Sequence, residues 1–167
     1  MIILKIKIMS LLLPHRFKKV SRVLFYLFFG FGIYYMLFLE GDPKIEELFT
    51  FEVPALINDE IFGPAESGWI ETVYLDELLS VFIIIFGLMS GFSKEKHEDE
   101  LIDKLRNDSL RISLFISYGI LLLTVLSIFG MIFLTFLFAQ LFLILFLFNL
   151  IFDIKLLKHY KTAGDDE

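Results

Sequence analysis

The chain has 167 residues, of which 57% are hydrophobic, with a mean hydropathy of +0.74 and no cysteine. Without cysteine there is no disulfide, thiolate nucleophile or Cys-based zinc site, and three histidines are too few for a His-rich metal site. The formal charge of −6 conceals a segregation: apolar residues come in blocks, with the ionised residues between them, where a soluble domain disperses its ~45–50% apolar content.

Residues 1–22 carry six Lys/Arg and no acid. The first eight alternate apolar and basic, a pattern open to a strand or an interfacial helix, and Met9 is an alternative start. Pro14 suits the first turn of a helix, where its missing N–H costs nothing. The apolar block at 23–39 follows a basic flank, Arg16, Lys18, Lys19 and Arg22, and no small-x-small cleavage site follows it. This reads as an uncleaved anchor spanning 20–39, long enough at ~20 residues to cross ~30 Å of hydrocarbon. Tyr34 and Tyr35 fall toward its far end, where amphipathic rings favour an interface.

Residues 40–77 hold eleven acids against Lys44 alone. The runs LFTFEV (48–53) and WIETVYL (69–75) alternate with the period of strands. Asn58-Asp59-Glu60 and Gly63-Pro64 between them are turn signals. A small β-hairpin is expected in this loop. Its acids lack the spaced oxygens and glycine of an EF-hand, so no metal is assigned.

The second apolar block, 78–92, has fifteen residues, or ~22 Å of helix. It spans only if the helix begins near Leu75, giving a span at 75–92. Gly87 and Gly91 form a G-x-x-x-G pair there, the spacing at which two helix backbones approach closely. Residues 93–111, SKEKHEDELIDKLRNDSLR, form a mixed-charge run with helical character. Ser93 is a candidate N-cap. Lys94 with Glu98, Lys96 with Glu100 and Glu100 with Lys104 have attractive i,i+4 spacing. Leu101, Ile102 and Leu105 make a narrow apolar stripe, which would lie on the bilayer, pack on the N-terminal segment or receive a partner. His97 and Glu100 supply two metal ligands, too few for a site.

Residues 112–152 are 41 positions without an ionised side chain, ~60 Å as one helix and twice a membrane. The stretch must fold back, and 127–131 with Gly130 as the left-handed helix stop is the best turn. Spans at 110–128 and 132–152 result. The fold class is therefore all-α: four transmembrane helices in two hairpins, forming a single integral membrane domain with a cytoplasmic loop at 93–109 and an extracytoplasmic loop at 40–74. An odd number of spans returns only if the second block fails to cross.

With four spans, the N-terminus, the 93–111 loop and the C-terminal segment share one side, with 6, 5 and 3 basic residues, and the opposite side has Lys44 alone. By the positive-inside rule both termini are expected in the cytoplasm. The apolar cores contain no ionisable residue, which argues against proton relays and ion-coupled transport. Neutral polar groups remain. Ser113, Ser117, Thr124 and Ser127 share one helical face, and Gln140 sits near the centre of the last span; these, with Gly87 and Gly91, are candidate helix-packing residues. No nucleophile–base set converges, so the expectation is a non-enzymatic protein without cofactor. Acids outnumber bases six to five in 93–111, which excludes nucleic acid.

The stretch Ser93-x-Glu95-Lys96-x-Glu98-Asp99-Glu100-x-Ile102-x-x-Leu105-Arg106-x-x-Ser109, with Pro14-His15-Arg16-Phe17-Lys18-Lys19 near the start, resembles a motif of small bacterial four-span membrane proteins of no assigned function. The resemblance implies architecture and a bacterial cytoplasmic (inner) membrane but no activity, and it favours Met9 as the start. Glu95, Glu98, Asp99, Glu100 and Arg106 are thus the candidate interaction motif. The expected role is an accessory, scaffold or sensor component acting through helix 93–111, with the lipid bilayer, a cytoplasmic protein and a second copy as candidate partners. The alternative is a small oligomeric channel lined by the polar face of the third span.

Overall fold

The computed structural model describes residues 12–58, 66–96 and 98–165. The alternative start at Met9, the basic alternation before it, the turn signals at 59–65 and His97 lie outside these residues. Along the chain run α1 (Arg16–Tyr34), a π-helical turn (Tyr35–Leu39), α2 (Pro43–Phe49), β1 (Thr50–Asn58), β2 (Glu66–Val73), α3 (Leu75–Gly91), α4 (Glu100–Ser127) and α5 (Met131–Asp165).

Among the described residues, three helical segments are long and apolar enough to cross a membrane: Arg16–Leu39, Glu100–Ser127 and Met131–Lys161. The four-span expectation fails at the second apolar block. There α3 has 17 residues, with Asp76 and Glu77 in its first turn. At 1.5 Å per residue it covers about 25 Å, short of the ~30 Å hydrocarbon core. The helix does begin at Leu75, so the shortfall lies in the block itself.

The chain divides into two compact units, Met1–Tyr26 with Ile83–Glu167, and Leu27–Phe82. In the smaller unit, Glu40 N–H donates to Tyr35 O at 2.9 Å, the i→i−5 bond of a π-turn. Gly41 follows at φ 83, a left-handed position that glycine takes without steric cost. Asp42 then caps α2 by accepting the Lys44 N–H at 2.9 Å, with Pro43 opening the helix. Tyr35, Leu75 and Leu79 form the buried centre, packed by Phe28, Leu39, Ile45, Phe49 and Val73. Tyr35 is therefore a core residue and not an interfacial ring.

The hairpin is antiparallel, pairing Thr50 with Val73, Glu52 with Glu71, Pro54 with Trp69 and Ala55 with Gly68, with an irregularity between Ala55 and Asn58. Tyr74 N–H donates to Phe49 O, which makes that a hydrogen-bonded pair. By alternation, Glu52/Glu71 and Pro54/Trp69 are non-hydrogen-bonded pairs, whose side chains stand closest. The missing N–H of Pro54 thus falls on the open edge, where proline is tolerated.

In the larger unit, Asp99 Oδ1 accepts the Ile102 N–H at 2.7 Å and starts α4, with Glu100 and Asp103 in the first turn, a position that favours carboxylates. Ser93 is not the cap: its Oγ donates to Met89 O. The helix then runs 28 residues without a break. Gly130 at φ 78 reverses the chain into α5, 35 residues long. Ser113, Ser117 and Thr124 are buried and Ser127 is exposed. Gln140 Nε2 donates to Ser117 O at 2.6 Å and to Ser117 Oγ at 2.7 Å, bonding α5 to α4.

Candidate functional site

The densest chemistry lies where α1 begins, α3 and α4 are joined, and α5 nears its end. The described residues between α3 and α4 are not helical, and the helix starts only at Glu100, so Lys94 and Glu98 do not share the helical turn expected of them. Leu13 N–H donates to Phe92 O, and Lys94 N–H donates to Leu13 O, both at 2.9 Å. His15 Nδ1 donates to Lys94 O at 3.0 Å. The segment before α1 is thereby stitched to the connection.

Lys18, Arg22 and Tyr26 recur every four residues and share one face of α1. Lys18 is 1% exposed. Its Nζ donates to Ser90 O at 2.7 Å and lies 3.0 Å from Glu95 Oε1. Arg22 Nη2 stands 3.4 Å from the same Glu95 oxygen and 2.9 Å from Asp153 Oδ1. The second of these is an ion pair without an aligned hydrogen bond, since Asp153 Oδ1 and Arg22 Nε find no hydrogen-bond partner. Asp153 Oδ2 accepts the Tyr26 hydroxyl at 3.1 Å.

Arg106 is 4% exposed and grips Glu98 with both terminal nitrogens, at 2.7 and 3.1 Å. Such fork-on-carboxylate pairs are among the stronger charge-assisted bonds. Glu98 Oε2 also accepts the Glu95 N–H at 2.7 Å, which couples the two acids through one stretch of backbone. Phe152 is fully buried between two cations, with Lys18 Nζ 4.6 Å and the Arg106 guanidinium 5.2 Å from its ring centre. Ile102 packs on Phe152 and Leu156 with Leu105 beside them, so two of the three residues of the apolar stripe are spent on α5. Leu101 is 45% exposed.

Gly87 and Gly91 make this packing possible. A Cβ on Gly87 would come within 2.8 Å of Phe25 Cε2, and one on Gly91 would fall on the Phe148 ring. Asn149 Nδ2 reaches the backbone beside them, donating to Gly87 O at 3.1 Å and to Leu145 O at 2.9 Å. The G-x-x-x-G pair is occupied by two rings and an amide of its own chain.

Of the candidate motif, Glu95, Glu98 and Arg106 thus meet in one network, Asp99 caps α4, and Glu100 is exposed in the first turn. Lys18, Arg22, Tyr26, Asn149, Phe152 and Asp153 were not read from the sequence as site residues. Two signals pointed to them: the four-residue spacing on α1, and Asp153 as the first ionised residue after 41 apolar positions. The three cations Lys18, Arg22 and Arg106 meet the three anions Glu95, Glu98 and Asp153, and a more exposed fourth acid, Asp103, lies 3.6 Å from Arg106 Nη1. What this arrangement does chemically is hold four stretches of chain together at low dielectric, where a pair survives only if each charge is answered. The polar face assigned to a pore in the alternative reading is partly closed by Gln140. No protein-family model, curated protein or solved structure matches this chain.

Proposed function

We propose that this chain is a non-enzymatic integral membrane protein, an accessory, scaffold or sensor component that offers the outward side of α4 to a cytoplasmic protein. Three apolar helices long enough to cross a membrane support the membrane setting. The observation that carries the role is the mutual neutralisation of Lys18, Glu95, Arg22, Asp153, Arg106 and Glu98. A catalytic site needs an acid, base or nucleophile poised toward a substrate, and these groups are turned on one another. The cluster instead fixes how α4 leaves the connection, and so which side it presents. Lys104, Asn107 and Arg111 are exposed on it at steps of three and four, one strip of helix surface.

The lysines and arginines at the start of α4 and near the end of α5 also favour the cytoplasm for that end of this helical pair, in a bacterial inner membrane. A reporter fused after the last residue should be active on the cytoplasmic side. For the role itself, reversing Lys104 and Arg111 to glutamate in the full-length chain should abolish capture of a cytoplasmic partner from native membranes. Stability should stay within about 0.5 kcal/mol, as for other surface changes. Recovery of the same partners by the reversed chain removes the proposal. Glu98 and Arg106 are unsuitable for this test because they are buried and their loss perturbs the fold.

A further inference from the structure

The hairpin presents a second surface with different chemistry. Glu52 and Glu71 stand directly opposite each other and are both exposed. Like charges in that relation destabilise a sheet, and among the described residues neither has an ion-pair partner. The next pair on the same face is Pro54 with Trp69. Trp69 is 72% exposed and Leu56, further along β1, is 92% exposed. Among the described residues the sheet has two strands, and each keeps one edge with no described strand beside it.

We propose that this face docks an extended segment of a partner protein bearing lysine or arginine. Charge complementarity selects the occupant. A cation seated between Glu52 and Glu71 converts their repulsion into two attractions, and the neighbouring Trp69 ring offers a face for cation–π contact. A second copy of this chain would bring another 40–77 segment with eleven acids against one lysine, so this face is not suited to pair with itself. A free strand edge adds main-chain hydrogen bonds to an extended guest, and the alternation of its side chains sets one row against Trp69 and the carboxylates.

Trp69 is the only tryptophan, so its fluorescence reports this face directly. The full-length chain in nanodiscs of zwitterionic lipid is titrated with a synthetic peptide of alternating lysine and valine. A saturable change in Trp69 emission is expected, weakened by added salt and absent with the glutamate–valine counterpart. The double variant Glu52→Gln/Glu71→Gln should bind the peptide about tenfold more weakly or worse. It should also fold, because it removes a repulsion; circular dichroism checks this. Glu46→Gln/Glu47→Gln, which changes the same net charge elsewhere in the unit, should bind much as the parent does. An unchanged emission, or equal weakening by both double variants, overturns the proposal. Quenching of Trp69 by brominated lipid overturns it too, by placing the face in the bilayer.

Discussion

Near the junction of α3 and α4, three cations meet three anions and the side chains of Lys18, Glu95, Glu98 and Arg106 are at most 9% exposed. In the hairpin, Glu52 faces Glu71 in solvent and neither is answered by a cation among the described residues. The contrast follows from dielectric. A carboxylate removed from water costs several kcal/mol unless a partner offsets it, so a buried charge has its partner built into the chain. A solvated carboxylate tolerates a like neighbour for a few tenths of a kcal/mol and stays available to something outside. Charges that look alike in the sequence thus divide into those that hold the fold and those a partner can still use.

Four experiments press on this contrast, the largest effect first. Arg106→Ala leaves Glu98 buried without its counter-charge and should cost about 3–5 kcal/mol, whereas Arg106→Met with Glu98→Leu should restore most of it. Denaturant unfolding of the full chain in detergent micelles measures both; a loss below about 1 kcal/mol for the single change would mean that the network is solvated. Gly91→Ala drives a methyl into Phe148 and should cost about 1–3 kcal/mol by overpacking. Gly30→Ala, which meets nothing within 4 Å, should show no loss, and equal effects at the two glycines would contradict the packing described. Gln140→Ala removes the bonds to Ser117 and should cost about 1 kcal/mol, read from the same unfolding curves.

The smallest effect is a pH dependence. Desolvation at the start of α3, and then the adjacent Asp76 carboxyl, push Glu77 up to about 7 from an ordinary 4.5. The folded chain therefore holds a proton that the unfolded chain has released between those values. Stability contributed here should be greatest below pH 4.5, fall as pH rises toward about 7, and level off above it. Glu77→Gln should flatten that part of the stability profile, and an unaltered profile would assign the dependence to another group.

Much of the fold was legible. The 41-residue apolar stretch is too long for one span, and glycine is the residue for a left-handed turn, so a reversal at Gly130 followed from length and chirality. Strand alternation pointed to the hairpin. The helix α2 was missed although Asp42-Pro43 is a start signal, because seven residues make too weak a periodic pattern. The count of spans went wrong at 75–92, where fifteen apolar residues were credited with an extension whose first turn carries Asp76 and Glu77. The segment 93–111 stands out in the sequence, but its charges pair there only by local i,i+4 spacing along one expected helix. Local i,i+4 spacing cannot reveal that Glu95 is answered from α1, or that Glu98 is reached by Arg106 from eight residues away.

Composition and block length suffice for the coarsest facts: an apolar chain with acids concentrated in 40–77, bases concentrated in the other charged segments, and a forced reversal near Gly130. Those depend on transfer energies and helix rise, which act residue by residue. Which charges are buried, and with whom, depends on contacts between residues distant in the chain. Lys18 and Glu95 are 77 positions apart in the numbering, and neither has a local reason to be desolvated. Only the packing of α1, α4 and α5 around Phe152 makes their burial, and hence their pairing, necessary.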